Sequence, residues 1–243
     1  MARQSTGHPF FDYLVGHVTE EMDVLDVGCA SGVLTMEVSR FAKTAVGIDL
    51  SPAAVDFANQ LKEIEYQRFK LIEETLQKSF QSDKIKSVRF ITADASELPF
   101  DDASYDLAFS TEVFEHIPEP RRAFEEIIRV LKPGGQAFLN IPRPQIDINL
   151  DIKTWERDFI QMADKDAVSR IHPDELVAWC NDKDVNIVNL THSDAHVFVH
   201  LGKKKSMRNT QSAIRNPQSA NGSPESLSSA GSATSGHLSR LTP

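Results

Sequence analysis

The chain has 243 residues, 40% hydrophobic and 25% charged, which allows one substantial domain whose core needs no disulfide staples. Its formal charge of −9 argues against a general nucleic-acid binder, because neutralising phosphates takes clustered lysine and arginine. Two cysteines, Cys29 and Cys180, point to a reducing compartment; with no apolar leader and no run of about 18 apolar residues, the cytoplasm is the expected location and no membrane span is expected.

In chain order, Asp23 to Val27 reads as a short apolar strand ending at a glycine-rich turn, and a helix follows from about Gly32 to Phe41. Ala45 to Leu50 is the second strand. Ser51 then stands as an N-cap with Pro52 at the first helical position, opening a helix or helix pair that runs to about Lys78. Val88 to Thr92, Tyr105 to Ser110 and Gln136 to Ile141 read as three more strands. The helix from Pro120 to Leu131 leads into Lys132-Pro133-Gly134-Gly135, read as a sharp stop and turn. Pro173 opens another helix, and Val185 to Thr191 and His196 to Leu201 pair as a closing hairpin. Alternating strands and helices imply a mainly parallel sheet covered on both faces, with a ligand at the carboxyl ends of its strands. The domain is expected over residues 1–202. From 203 to 243 serine, asparagine, glycine and proline dominate, and this low-complexity tail is expected to be disordered.

The turn Gly28-Cys29-Ala30-Ser31-Gly32 has the small residues that let a ligand approach the backbone and meet its amides. It is not a dinucleotide fingerprint, since Ala30 and Val33 stand where that pattern needs glycine, and no phosphate loop occurs. Asp26 would repel a pyrophosphate but accepts hydrogen bonds from an amino group. Asp49 ends the second strand, 23 residues after Asp26, where a carboxylate receives two ribose hydroxyls, caps the next helix or lies in solvent.

Three further segments complete a series: Phe90-Ile91-Thr92-Ala93-Asp94-Ala95 with Leu98-Pro99-Phe100-Asp101, Asp106-Leu107-Ala108-Phe109-Ser110 with Glu112 to Ile117, and Val130-Leu131-Lys132-Pro133-Gly134-Gly135. In this order they resemble the class I S-adenosylmethionine (SAM)-dependent methyltransferases, in particular the methyltransferase type 11 group, from about Val24 to Ile141. The resemblance implies a Rossmann-like, doubly wound α/β fold with a mainly parallel seven-stranded sheet and a C-terminal antiparallel hairpin. It implies SAM as cofactor and the following contacts. Gly28, Ala30 and Gly32 line the methionine part, and Asp26 lies near its amino group. Asp49 takes the ribose hydroxyls and Leu50 packs on adenine. Asp94 accepts from the adenine amino group beside the Ala95 amide, and Ser110 faces the methionine end through its backbone. The chain departs from the family at Ala30, which replaces a middle glycine, and in a longer segment between Ser51 and Val88.

Methyl transfer needs a base only when the acceptor arrives protonated. His116, after the fourth strand, is the candidate; its other reading is a structural histidine before the Ile117-Pro118 turn. Glu115 either orients it, binds a metal or is solvated, with solvation favoured. His192, His196 and His200 recur every fourth residue, but Val197-Phe198-Val199 between them favours a strand, and no metal site is expected. His172 reads as a helix start, and Trp155 and Phe159 either cover substrate or pack. The expected function is methyl transfer to a small-molecule acceptor, most readily an oxygen. The segment Ser169 to Cys180 loosely resembles ubiquinone-pathway O-methyltransferases. The rivals are a catalytically inactive SAM-binding partner protein and, further off, a nicotinamide-dependent oxidoreductase. The acceptor and the oligomeric state are not legible.

Overall fold

The computed structural model describes residues 9–142, 168–169, 171–192 and 196–205. The tail from 206 onward, Trp155 and Phe159 lie outside the described residues.

The chain opens with α1 (Pro9–His17), a helix the sequence reading did not assign. Its apolar residues Phe10, Phe11, Leu14 and Val15 share one buried face. Then come β1 (Asp23–Val27), α2 (Val33–Ser39), β2 (Thr44–Asp49) and α3 (Pro52–Leu76). The Ser51 hydroxyl accepts from the Ala54 amide at 3.3 Å, the expected N-cap. A single helix of 25 residues follows, and Gln77 ends it in a left-handed conformation. The short α4 (Ser82–Ser87) precedes β3 (Arg89–Thr92) and β4 (Tyr105–Thr111). After a 3₁₀ turn at Phe114–His116 come α5 (Pro120–Val130), β5 (Leu131–Pro142), α6 (Pro173–Asn181), β6 (Val185–His192) and β7 (His196–Lys203).

The seven strands form one sheet in the order β3-β2-β1-β4-β5-β7-β6. The first five are parallel; β7 is antiparallel to both β5 and β6. The Rossmann-like α/β expectation therefore holds, hairpin included. The expected sharp turn at Lys132–Gly135 does not. These residues belong to β5, where the pairing with β4 shifts register between Tyr105 and Leu107 and Gly134 adopts φ +87°. That is a bulge, which permits the strand to start directly at the end of α5. Lys132 fixes it by bonding Asp106 at 2.7 Å and Asp23 at 3.1 Å, joining the starts of three neighbouring strands.

Two buried layers flank the sheet. On one face α1 and α2 cover Val24, Leu107, Phe109 and Phe138, while α3 and α4 cover Ala45 and Phe90. On the other, α5 and α6 cover Leu25, Val27, Ala108 and Leu139. The chain changes face between β1 and β4, which are neighbours although β2 and β3 separate them in sequence. A crevice at the carboxyl ends of β1 and β4 follows from this switch. The last strand runs through Lys203, whose ammonium donates to the carbonyls of Ile128 and Leu131 at 2.8 and 2.6 Å and so satisfies the end of α5.

Candidate active site

The crevice is built on the turn after β1. Gly28 and Cys29 both donate from their amides to Ile48 O at 2.8 Å, Gly32 donates to Cys29 O at 2.7 Å, and Ala30 donates to Asp49 Oδ2 at 2.9 Å. Four amides that the sequence offered to a ligand are thus engaged within the protein. The turn contributes space and shape instead. Gly28 has φ +81°, and a Cβ there would lie 2.2 Å from Val113 Cγ2; at Gly32 it would lie 2.3 Å from Phe90 Cζ. Ala30 keeps the left-handed geometry of the glycine it replaces, at φ 45°.

Asp49 ties together the loops on either side of it, while the helix cap itself is the Ser51 hydroxyl. Oδ2 holds Ala30 N, and Oδ1 accepts from Ser51 N at 2.9 Å. An ionised carboxylate offers about four acceptor positions, so room for further donors is left. Leu50 beside it is 71% exposed, an apolar side chain presented to solvent at the rim. Asp94 is exposed and takes Ser96 N at 2.7 Å, while Ala93 N bonds Asp49 O at 2.9 Å, so the Asp94–Ala95 turn sits against the end of β2.

Asp26 lies beneath this rim, buried, and its Oδ2 accepts from Thr35 Oγ1 at 2.6 Å. Burial pushes its carboxyl up to about 7, the Thr35 bond pulls the other way, and the charge of Asp49 adds to the rise. Burial likewise raises the Cys29 thiol, which removes it as a nucleophile.

At the end of β4 and β5 the polar side chains are buried and short of partners. Ser110 Oγ, Thr111 Oγ1, Asn140 Oδ1 and Glu115 Oε2 have no hydrogen-bond partner among the described residues. Thr111 and Asn140 are register neighbours on adjacent strands. Glu112 follows at φ 55°, strained for a residue with a side chain, and its amide bonds Asn140 O at 3.0 Å while its carboxylate meets His196 Nε2 at 2.9 Å. Glu115 is not solvated, as the sequence reading favoured, but buried, and burial raises its carboxyl. The chain turns inward there because Val168 N and Ser169 N both bond Glu115 O, at 2.8 and 3.0 Å. His116 is the outer member of the pair, with its side chain 43% exposed and Nε2 3.7 Å from Glu115 Oε1.

The other candidates fall elsewhere. His196 and His200 stand on β7; His200 is buried between Tyr13 Oη at 3.0 Å and Gln136 Oε1 at 2.8 Å. His172 precedes α6, and its amide donates to Glu175 Oε2 at 2.9 Å. Three contributors had no sequence signal: Thr35, an ordinary helical threonine; Val113, whose bulk fills the space above Gly28; and Asn140, which reads as one more strand residue.

Comparison with known proteins agrees with this geometry. Residues 25–139 match the family model described as a methyltransferase domain. A ubiquinone biosynthesis O-methyltransferase of Coxiella burnetii is 24% identical over 182 residues, covering 71% of this chain and 67% of that protein. The chloroplastic tocopherol O-methyltransferase of Arabidopsis thaliana is 29% identical over 177 residues, covering 70% of this chain and 42% of that protein. This chain thus spans about two thirds of the first relative and less than half of the second. Among solved structures, a SAM-dependent methyltransferase of Methanosarcina mazei superposes with a TM-score of 0.56 at 19% identity, over 79% of this chain and 97% of that one. The sheet order and the matched segment lead to one conclusion: residues 25–139 of this chain form a methyltransferase domain, on the fold of the SAM-dependent methyltransferases.

Proposed function

We propose that the domain methylates an oxygen of a small hydroxylated acceptor, with His116 as the base. The observation that carries this reading is the pair of buried, unpartnered polar atoms on the α1 face at the carboxyl ends of β4 and β5, Thr111 Oγ1 and Asn140 Oδ1, which are register neighbours. Leaving such atoms without partners costs about 1–3 kcal/mol each, which a hydrogen-bonding ligand would offset. An aromatic-lined cleft of about 230 Å³ opens between α1 and the β6–β7 hairpin, and one of its walls is Phe198, the cross-strand partner of Asn140. A ring bearing hydroxyls suits both features, in keeping with the names of the O-methyltransferases this chain is similar to.

When bound, SAM supplies a methyl group on a sulfonium, already a good electrophile, which leaves alignment and water exclusion to the protein. The residues present fit it. Asp26 would hold the amino group of the methionine part, with Gly28, Ala30 and Gly32 lining it and the Ser110 backbone at its end. Asp49 has acceptor positions left that would take two ribose hydroxyls, Leu50 would offer an apolar face to adenine, and Asp94 with the Ala95 amide would hold its edge. His116 takes the acceptor's hydroxyl proton, and the resulting imidazolium is held by Glu115, whose ionisation that positive charge favours. Two unpaired, buried cysteines support a reducing compartment such as the cytoplasm. Among the described residues no helix is long and apolar enough to cross a membrane.

A transfer assay with methyl-labelled SAM against phenolic, quinone-precursor and sugar acceptors tests the reading. A labelled methyl ether on a phenolic acceptor is the expected product. Label on nitrogen or carbon, or none on any hydroxylated acceptor, would overturn it.

A further inference from the structure

Helix α3 leaves four large apolar side chains in solvent; besides Leu76 at its end, these are Phe57 at 55%, Ile64 at 62% and Leu71 at 64% exposure. The last three form a series. They stand seven residues apart, so along an α-helix each is displaced by only about 20° from the last. The result is one nearly straight stripe about 21 Å long. The opposite face of the helix is already used, with Val55, Ala58 and Tyr66 buried against β2, β3 and α4. Single exposed apolar residues are ordinary on a protein surface, but a seven-residue repeat of large ones is the seam of a helix pair. Neither the core nor the methyltransfer site gives this stripe a task.

We propose that α3 is a dimerisation helix, which packs antiparallel against α3 of a second copy of this chain about a two-fold axis at Ile64. Ile64 then meets the partner's Ile64, and Phe57 meets the partner's Leu71, twice by symmetry. The flank of the stripe argues for this occupant. Asp56, Gln60, Gln67 and Lys70 are all exposed along one side of it. The antiparallel arrangement sets Asp56 beside the partner's Lys70 and Gln60 beside the partner's Gln67, and each pair forms twice. Near the axis Glu63 approaches the partner's Glu63; its Oε1 accepts from Gln67 Nε2 of its own helix at 2.8 Å, which draws the carboxylate along the helix. The charge pairs at the ends outnumber this one like-charge contact. Parallel helices would part Asp56 from the partner's Lys70 by the length of the stripe.

Sedimentation of the full chain between about 1 and 100 μM tests the pairing. The expected result is a mass that rises with concentration to twice that of the monomer. Ile64→Lys brings two ammonium groups together at the axis and should hold the protein monomeric, with S-adenosylhomocysteine affinity unchanged. Asp56→Lys and Lys70→Asp should each weaken the dimer at least about tenfold, and the double variant should restore it. A wild type that stays monomeric would overturn the proposal, as would a dimer indifferent to Ile64→Lys or a double variant that fails to rescue. A dimer that appears only when residues from 206 onward are removed would overturn it as well, because the chain's own segment would then occupy the stripe.

Discussion

If Asp26 holds the cofactor's amino group as proposed, cofactor binding is coupled to pH. In the ligand-free domain burial holds its carboxyl near 7, so below that pH it is protonated. An ammonium group beside it favours the carboxylate, and binding must then expel a proton. S-Adenosylhomocysteine affinity should therefore rise with pH, by up to about tenfold per unit below 7, and level off above it. Calorimetry in buffers of different ionisation enthalpy should show proton release at pH 6 and little at pH 8. Asp26→Asn should abolish the slope; a slope that survives would place the amino group elsewhere. Asp49 holds the backbones of Ala30 and Ser51 through its two oxygens, besides the ribose role proposed for it. Asp49→Ala should weaken S-adenosylhomocysteine at least about tenfold and also lower the melting temperature, since two amides lose their acceptor. An effect on melting without one on affinity would leave Asp49 as a loop tie only. For His116→Ala the expected loss in kcat is about 10²–10⁴-fold, with cofactor affinity unchanged. Coincident pH–rate profiles with similar kcat would remove His116 from the reaction.

The hairpin β6–β7 and helix α1 meet at His200. Tyr13 Oη donates to Nδ1, which leaves Nε2 to donate to Gln136 Oε1, so the partners select the neutral tautomer. Burial first, then His17 close by, lowers His200 to about 4. A folded-state value below the unfolded one means that its stabilisation is present above about 6.5 and is lost as pH falls through about 4. His200→Gln should flatten the acid limb of a melting-temperature profile between those limits; an unaltered limb would show that another group governs it. None of this was legible in a hairpin read from Val185 to Thr191 and His196 to Leu201. The strands themselves were legible, since period and turn residues are local properties. So was the N-cap at Ser51. Helix α1 was not, because its Phe10–Val15 face has meaning only against Phe109 and Phe138, far along the chain. The β5 bulge was misread for a related reason. Pro133-Gly134-Gly135 is a turn by composition, and only Lys132, held by Asp23 and Asp106, keeps it within a strand. Glu115 was misplaced because its burial depends on residues 168 and 169 folding back onto its carbonyl.

For the whole chain, the C-terminal limit of the domain is an electrostatic matter as much as one of strand pairing. Lys203 supplies the donors for carbonyls that α5 leaves open, so a chain ending before it exposes that helix end. Removing residues from Ser206 onward should leave melting temperature and cofactor affinity nearly unchanged, since few large apolar residues follow. Removing them from Lys203 onward should cost about 1–3 kcal/mol, a fall of several degrees. Equal melting of the two truncations would mean that the α5 carbonyls find other donors. A different consequence comes from Val113 filling the space where Gly28 would carry a Cβ, which binds two distant positions into a fixed order of change. Gly28→Ala alone meets both a steric clash and a left-handed φ, and should yield little folded protein. In a Val113→Gly background the closest contacts, those with the Val113 side chain, are gone, and the backbone cost, on the order of 1 kcal/mol, remains. The pair is therefore epistatic in one direction: a lineage or a library reaches alanine at position 28 only by first shrinking position 113.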